Sequence, residues 1–284
     1  MLYQEFQPHP SLASFVENYW QITTTGEDNG VLEELIVPDG NASLMFIAET
    51  ISRFASDNSK MDLKGQTLVV GQKSKPVYYH IGQKRALRSW GIRFKGAGLS
   101  AFTEVPQADL ADDVVEGVNI FGKKVDEVHE QILLAPDDEA RVKLIDRFLT
   151  GRLLPESWQL KMMDNLIKRI HACSGQATVS DLATGFNLHH RQLERMFNQY
   201  VGLSPKAYAR IIRFNKTIVL YDGQEPQFRL TDLAYAAGFF DQMHFIKEIK
   251  GFTHKTPTSY FKGEGGFFQP VLKELLSRRL GTGR

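Results

Sequence analysis

The alternation of apolar and polar residues predicts two halves of different secondary structure. From about residue 18 to residue 95, short runs rich in β-branched and aromatic residues are separated by Gly, Pro, Asp and Asn, as is typical of strands joined by turns. The runs are NYWQITTT, ELIVP, SLMFIA, TLVVG, PVYYHI and LRSWGIRF, and the sequence Pro38-Asp39-Gly40-Asn41 predicts a tight turn between two of them. Strands at this spacing predict a small antiparallel barrel or sandwich.

Helical periodicity replaces the strand pattern after Gly96. The segments GLSAFTEV, GKKVDEVHEQILLA and EARVKLIDRFLTGRL predict helices, the longer two because their apolar residues recur at helical spacing. A shorter amphipathic helix is predicted near the start, in SLASFVENYW. A break at Leu154-Pro155-Glu156-Ser157 separates these helices from a further helical region that begins with WQLKMMDNLIKRIHAC.

The predicted fold class is therefore α+β. At 284 residues, the chain is long enough for about two domains with separate cores. Residues 1–154 are expected to form a small antiparallel β-barrel or sandwich with flanking helices, and residues 155–262 an all-α domain. Residues 263–284 are a C-terminal extension that is either disordered or a helix with a frayed basic end, its apolar side formed by Val271, Leu272, Leu275 and Leu276.

Residues 182–197, LATGFNLHHRQLERMF, predict a helix, a tight turn and a second helix. Ser180 and Asp181 can accept hydrogen bonds at the first turn of the first helix, and Asn187 tolerates the positive φ that the tight turn needs. The inward face of the second helix consists of Leu188, Leu193 and Phe197, and its outward face of Arg191, Glu194, Arg195 and Asn198. Because the outward groups can hydrogen-bond to base edges, the pattern predicts a DNA-reading helix-turn-helix.

The same unit occurs a second time, over residues 233–249, as LAYAAGFFDQMHFIKEI. Asp181 returns as Asp232 at an offset of 51, and Ser204-Pro205 returns as Thr256-Pro257 at an offset of 52. The second outward face then consists of Met243, Ile246, Lys247 and Lys250. Between the two units, Ser204 and Pro205 are a suitable cap and first residue for a long helix, AYARIIRFNKTIVLY, that would fix their spacing.

The doubled unit resembles the AraC/XylS family of transcriptional regulators over roughly residues 160–262. The resemblance lies in RQLERMF in the first half and GFFDQMHFIKEIKGFTHKTPTSYF in the second. It implies base-reading positions at Arg191, Glu194, Arg195, Gln242, Met243, His244 and Lys247. Two residues depart from the family pattern, since His254 stands where Gly is usual and Ile249 where Phe is usual. His254 at positive φ is expected to cost a little local strain.

The N-terminal half has a looser resemblance to an uncharacterised sensor-type domain that often precedes this DNA-binding unit. PHPSLASFVENYW, VPDGNASLMF and GIRFKGAGLSAFTEVP carry it, and Gly96 stands where that domain usually has Pro. The aromatic-rich strands around Tyr78-Tyr79 and Trp90 predict either a small apolar or aromatic ligand inside the sheet or a plain core. Homodimerisation through this half is a further expectation.

Charge is distributed unevenly along the chain. The net charge is +1, but residues 157–284 hold 18 Lys and Arg against 10 Asp and Glu, whereas residues 1–156 hold 16 against 23. A basic part joined to an acidic part is typical of a nucleic-acid binder with a separate module, and it disfavours an adaptor whose helix-turn-helix contacts only protein.

Base edges and phosphates would be contacted by different groups. For the bases, the side-chain chemistry pairs Arg191 and Arg195 with guanine, Gln192 or Gln242 with adenine, Glu194 with cytosine and Met243 with the thymine methyl. The phosphates are expected to be contacted by Lys247, Lys250, Arg210 and Arg213. Taken singly, any of these charged groups is equally consistent with a solvated helix face. Glu194 can also serve only to orient a neighbouring Arg, and His189 and His190 can cap the helix or contact a phosphate.

An enzyme is the competing class. His9 and His80 are the histidines of the strand-rich half and lack the clustered spacing of a metal site, and Gly96-Ala97-Gly98 lacks the features of a phosphate-binding loop. We therefore expect no cofactor and no catalysis. Cys173, the one cysteine, cannot form an intrachain disulfide and is expected to be a structural residue.

The sequence thus predicts a transcriptional regulator that binds double-stranded DNA. The partners expected besides DNA are a small-molecule effector, a second copy of the chain and, for an activator, RNA polymerase. No leader-like segment and no run near 18 apolar residues is present, so we expect a cytoplasmic protein without a membrane span.

Overall fold

The computed structural model describes residues 2–23, 31–48, 51–54, 60–63, 66–82, 88–221, 229–263 and 266–279. Within these residues the strands are β1 (Leu2–Phe6), β2 (Val16–Thr23), β3 (Val31–Ile36), β4 (Ser43–Ile47), β5 (Ile51–Phe54), β6 (Lys60–Leu63), β7 (Thr67–Val70), β8 (Val77–Gly82), β9 (Arg88–Phe94) and β10 (Val114–Glu116). The α-helices are α1 (Gly117–Phe121), α2 (Lys124–Leu134), α3 (Asp138–Thr150), α4 (Trp158–Ala172), α5 (Val179–Gly185), α6 (His190–Tyr200), α7 (Pro205–Leu220), α8 (Leu230–Ala236), α9 (Gln242–Thr253), α10 (Pro257–Lys262) and α11 (Phe268–Arg279). No helix among the described residues combines the length and apolar character needed to cross a bilayer.

The strands form two antiparallel sheets, which confirms the α+β class. Among the described residues, one sheet has the order β1-β2-β9-β4-β7-β10 and the other the order β3-β8-β5-β6. The closed-barrel alternative is wrong, because no described strand of one sheet pairs with a strand of the other. The six-stranded sheet is instead covered on both faces, by the second sheet on one side and by α1–α3 on the other.

Alternation along β9 separates these two cores. Trp90, Ile92 and Phe94 belong to the cluster that α2 and α3 cover, whereas Ser89 and Arg93 line the space between the sheets. Trp90 therefore does not face the space between the sheets, and of the two predicted alternatives it is a plain core residue. Its ring stacks on Phe6, with ring centroids 4.8 Å apart.

Two predicted helices are largely replaced by 3-10 turns. SLASFVENYW forms a turn at Pro10–Leu12 and then enters β2, because the residues from Val16 pair with β9. GLSAFTEV keeps only a turn at Gly98–Ala101. In both segments tertiary pairing and close packing outweigh a weak helical pattern.

The predicted turn at Pro38-Asp39-Gly40-Asn41 is where the sheets meet the helical region. Gly40 lies against Tyr208 and Ile212 of α7. The backbone carbonyl of Asp39 accepts hydrogen bonds from Asn215 Nδ2 at 3.0 Å and from Arg279 Nη1 at 2.8 Å. The turn thus binds two helices that lie far from it in sequence.

The C-terminal extension is helical from Phe268 to Arg279, so the disordered alternative is wrong for these residues. Its first turn is held by Glu34 of β3, whose carboxylate accepts from Phe267 N at 2.8 Å and Phe268 N at 3.2 Å. The prediction of a frayed basic end is also wrong for the residues up to Arg279. The Arg279 guanidinium donates to both carboxylate oxygens of Glu17 in β2, at 2.6 and 3.0 Å.

Gly96 explains one departure from the family pattern. Its φ is +25°, which proline cannot adopt because its ring fixes φ near −65°. A Cβ at this position would also lie 2.7 Å from Ile167 Cδ1 in α4. The glycine therefore permits close contact between the N-terminal half and the helical region.

Three buried groups at this interface have displaced pKa values. Burial works against the ionised Glu17, but the adjacent Arg279 guanidinium outweighs it and lowers the pKa of Glu17 to about 2. Burial, together with the positive charge of Arg279, lowers the pKa of His171 to about 4. Burial disfavours the charged form of Arg279, yet Glu17 outweighs this and raises its pKa.

Acidification is therefore expected to destabilise the protein in two stages. In the folded protein His171 stays neutral down to about pH 4, whereas in the unfolded chain it is protonated below about pH 6.5. The free energy of unfolding therefore falls between about pH 6.5 and pH 4. Glu17 stays ionised to about pH 2, so its contribution, present above about pH 4.5, is lost as the pH falls below that value. Each shift corresponds to a stability change on the order of 3 kcal/mol.

The check is urea unfolding of the wild type and His171→Gln from pH 7.5 to pH 4.5. The variant should lose part of the pH dependence. Equal slopes for the wild type and His171→Gln would contradict the assignment.

Candidate nucleic-acid interface

The first helix-turn-helix consists of α5, a tight turn and α6. Thr178 caps α5 by accepting from Asp181 N at 3.1 Å, and the Asp181 carboxylate accepts from Thr178 N at 2.9 Å. The predicted capping role of Ser180 is wrong, because Ser180 lies inside α5. Asn187 has a φ of +51°, as the predicted turn requires.

The outward face of α6 presents the predicted polar groups. Leu193 and Phe197 are fully buried, so they fix which side of the helix faces outward. The predicted reading residues on α6 are exposed (Arg191, Arg195 and Asn198) or half-buried (Gln192 and Glu194). None of these five side chains makes a hydrogen bond or ion pair within the described part of the chain. His189 stands at the N-cap, but its side chain does not bond the helix.

The second unit, formed by α8 and α9, follows the same plan. Gly238 provides the positive φ of its turn, and Asp241 caps α9 by accepting from His244 N at 2.7 Å. Phe245 and Ile249 are fully buried, so Ile249 takes the inward position as the repeat predicts. The exposed members of the predicted set on α9 are Gln242, Met243, Lys247 and Lys250.

His244 differs from the other predicted reading residues because it is partly engaged inside the protein. Its ring meets Phe239 edge to face, with centroids 5.5 Å apart, and its Nε2 lies 3.7 Å from Glu248 Oε1. The side chain keeps about 42% of its surface exposed, so one edge of the ring still faces outward.

Sequence reasoning missed two exposed aromatic residues near α9. Tyr235 in α8 and Phe240, just before the N-cap of α9, are 61% and 89% exposed. Large exposed aromatics are unusual and often mark a contact surface. The available signal was that the repeat aligns Tyr235 with the polar Thr184, and that Phe240 is the extra residue in the second turn, just before the N-cap Asp241 that corresponds to His189.

Arg210 and Arg213, which are predicted to contact phosphates, also have partners inside the protein. Arg210 Nε donates to both carboxylate oxygens of Glu248, at 3.1 and 2.8 Å, and its guanidinium lies over Phe252. Arg213 Nη2 donates to Gly175 O at 2.8 Å, and its guanidinium lies over Phe239. These side chains attach α7 to the second helix-turn-helix unit and to the loop that precedes α5.

The N-terminal half borders one flank of the first reading face. Pro106 and Ala108 line a groove with α6 residues that include Arg191, Glu194 and Arg195. The end of α6 is fixed there, because Ser100 Oγ donates to Tyr200 O at 3.1 Å. Gly202, at a φ of +87°, packs so closely on Gln107 O that no side chain fits.

The second unit has more room at the equivalent position. His254 takes the place of Gly202 in the repeat and adopts a φ of +54°, as predicted for this departure from the family pattern. It ends α9 in the left-handed conformation.

Other chemistry receives little support from the described residues. No group of three or more His, Cys, Asp or Glu among them is arranged to hold a metal ion. Cys173 is half-buried, and its Sγ lies 3.3 Å from both Ile170 O and Ala177 N, so it takes the expected structural role.

Two family models match the chain. Residues 182–263 match a model described as a helix-turn-helix domain, and this range includes both α6 and α9. Residues 4–116 match a model described as a domain of unknown function. The second range contains β2 to β10 and the last three residues of β1.

Similar proteins include several regulators. The HTH-type transcriptional regulator MtrA of Neisseria gonorrhoeae is 31% identical over 112 residues, which are 39% of this chain and 36% of MtrA. The Msm operon regulatory protein of Streptococcus mutans is 26% identical over 48% of this chain and 49% of its own length. The HTH-type transcriptional activator RhaS of Escherichia coli is 33% identical over 31% of each chain. This chain thus spans about half or less of the length of each of these relatives.

Among solved structures, ToxT from Vibrio cholerae O395 aligns over 86% of this chain and 99% of its own. The TM-score is 0.46 and the sequence identity is 11%.

The Arg210–Glu248 pair gives a stability prediction. Because Glu248 is 8% exposed, Arg210→Gln should leave a buried carboxylate without its partner and lower the free energy of unfolding by roughly 1–2 kcal/mol. Glu248→Gln should have a similar effect, and the double variant should lose less than the sum of the two.

Urea unfolding of the four proteins measures this coupling. The Lys143–Glu139 pair on α3 is the matched control, because both side chains are exposed and their coupling should be negligible. Additive effects at Arg210 and Glu248 would show that the pair does not hold α7 to α9.

Proposed function

We propose that this chain, whose C-terminal part is a doubled helix-turn-helix domain of the AraC/XylS family, is a sequence-specific DNA-binding transcriptional regulator. The observation that carries the proposal is the pair of outward helix faces on α6 and α9, built on one connecting helix, α7. The residues of the α6 face have no partner in the described part of the chain and can therefore exchange water for base edges without breaking an internal contact.

We assign the reading of bases to α6 and α9. On α6, Arg191 and Arg195 take guanine edges, with Gln192, Glu194 and Asn198 beside them. On α9, Gln242 and Met243 contact bases, His244 uses its exposed edge, and Lys247 and Lys250 contact phosphate or base. A rigid α7 would place the two helices in successive major-groove segments on one side of the duplex.

The N-terminal half is proposed to sense a small molecule or to dimerise. A cavity between its two sheets supports the sensing role, and its acidic composition argues against a part in holding DNA. Contact with RNA polymerase, if the protein is an activator, and action in the cytoplasm belong to the same proposal. Because the similar proteins are regulators, the proposal also includes a role without catalysis.

The test is selection of duplexes from a random pool by the full chain, followed by anisotropy titration from 50 to 300 mM salt. We expect a recurring sequence of two half-sites about one helical turn apart and an affinity that falls steeply with salt.

Lys250→Gln should reduce the slope of log affinity against log salt by about one. The proposed function would be refuted if the folded chain enriched no particular duplex sequence from the pool and showed no salt-sensitive binding to DNA.

Arg195→Ala should relax specificity at one base position and cost about 1–3 kcal/mol of specific binding, because a bidentate contact is lost. The readout is affinity for the selected duplex, its single-base variants and random DNA. Lys161→Ala, an exposed cation on α4 already paired with Glu156, should leave all three affinities unchanged. Equal losses by Arg195→Ala on selected and random DNA would assign Arg195 to phosphate instead.

A further inference from the structure

A cavity of about 120 Å³ lies between the two sheets of the N-terminal half. Its wall is mostly apolar and aromatic and includes Tyr3, Trp20, Met45 and Tyr79. The volume is comparable to that of an engineered apolar cavity, about 150 Å³, that accepts benzene. The space therefore suits one ring or a short alkyl chain.

The same wall carries buried hydrogen-bond donors on one face of the six-stranded sheet. Trp20 Nε1, Ser89 Oγ and two nitrogens of Arg93, Nε and Nη1, have no hydrogen-bond partner among the described residues. Trp20 is 6% exposed and Ser89 is 3% exposed. Buried donors without partners cost free energy, and a ligand that brings acceptor oxygens would satisfy them.

Arg93 is the group in the wall that favours an anion. Lys73 and Asp39 also line the cavity, and Arg93 interacts electrostatically with Glu17. The nearest Arg93–Asp39 approach is 3.8 Å, between Nη1 and Oδ2, which is longer than a hydrogen bond. A carboxylate would supply acceptors to the two Arg93 nitrogens that lack a hydrogen bond, in a geometry that guanidinium groups prefer.

One wall of the cavity comes from the last helix and not from the sheets. Phe268, the first residue of α11, lines this cavity and also a second one of about 70 Å³ between β3 and α11. Ile36, Asp39 and Arg93 are the other residues common to both cavities. The Phe268 ring therefore stands between two spaces, and its position decides how large a molecule fits.

Helix α11 connects this ring with the DNA-binding region. Its middle packs on α7, where Leu276 joins the core cluster that contains Ile212 and Ile218. Its end is fixed by Arg279 to Glu17 and to the carbonyl of Asp39. A change at Phe268 is thus transmitted through one short helix to the helix that carries both reading units.

We propose that the inter-sheet cavity binds a small organic anion, a carboxylate on an aromatic or short aliphatic body, and that Phe268 couples its occupancy to α11. The regulatory consequence rests on the proposed DNA-binding function, whereas the binding site does not. Arg93 is the principal contact of the carboxylate, and the apolar wall takes the body of the ligand. An occupied cavity holds Phe268, and with it α11, against α7.

The binding test uses the full chain with benzoate, phenylacetate and hexanoate as probes, each compared with its neutral alcohol. Calorimetry and the melting temperature are the readouts. At least one acid should bind at least ten-fold more tightly than its alcohol and raise the melting temperature in a saturable way. Acids that bind no better than the alcohols, or not at all, to the folded wild type would overturn the proposal.

Variants of the two cations locate the site. Arg93→Gln should weaken the bound acid at least ten-fold without weakening its alcohol, and Lys73→Gln should act in the same direction if Arg93→Gln fails to fold. Lys75→Gln is the matched control, since Lys75 is an exposed cation in the same loop as Lys73. Unchanged acid binding in folded Arg93→Gln or Lys73→Gln would place the anion elsewhere and overturn the assignment.

The coupling test follows hydrogen exchange of the α11 amides. The bound acid should increase protection over residues 268–279 in the wild type, and Phe268→Ala should abolish this increase while retaining acid binding within a few-fold. Phe267→Ala is the control, because the Phe267 ring is adjacent in sequence but lines neither cavity, and this variant should keep the increase in protection. Binding without any change in α11 protection would overturn the coupling.

A last measurement separates this inference from the proposed function. The acid should change the affinity for a selected duplex, and the duplex should change the affinity for the acid by the same factor. A chain that binds the acid and protects α11 but binds no duplex supports the site and refutes the proposed function. A chain that binds duplex but no acid keeps the function and refutes the site.

Discussion

The buried ion pair between Glu17 and Arg279 is the interaction on which the arrangement of the two halves depends. Removing two charges from water is costly, and the loss is recovered only when both partners meet in good geometry. Here the guanidinium contacts both Glu17 oxygens and also the carbonyl of Asp39, so a small displacement would leave buried charge unpaired.

Helix α7 is the second element that this constraint positions. Its Asn215 shares the Asp39 carbonyl with Arg279, while its Arg210 binds α9 of the second helix-turn-helix unit and its Arg213 binds the loop before α5. Polar contacts on α7 therefore connect the sheets to the second unit and to the loop that leads into the first one. The spacing of the reading faces and the docking of the N-terminal half are properties of one helix.

The sequence predicted the local features and missed those that depend on distant partners. The repeat located both reading helices, and the positive φ at Asn187 and His254 followed from their places in it. The internal partners of Arg210 and Arg213 were missed, because an isolated cation on a helix looks the same in the sequence whether or not a carboxylate or a carbonyl lies beside it. The sequence left open whether Trp90 faces a ligand or a plain core, because alternation defines two faces but does not say which one a helix will cover. The role of Phe268 depends on a contact with Ile36 and Arg93, which lie more than a hundred residues earlier, and no local pattern encodes it.

Phe268 also limits how this protein can be recombined with its relatives. A chimera that joins the N-terminal sheets to another doubled helix-turn-helix at the break before α4 would lose α11 and with it one wall of the inter-sheet cavity. Glu34 would then lose the backbone amides of α11 that it binds, and Glu17 would lose its ion-pair partner Arg279. The transferable unit is therefore discontinuous in sequence: it consists of the N-terminal half together with the last helix, and the reading units form an insertion between them.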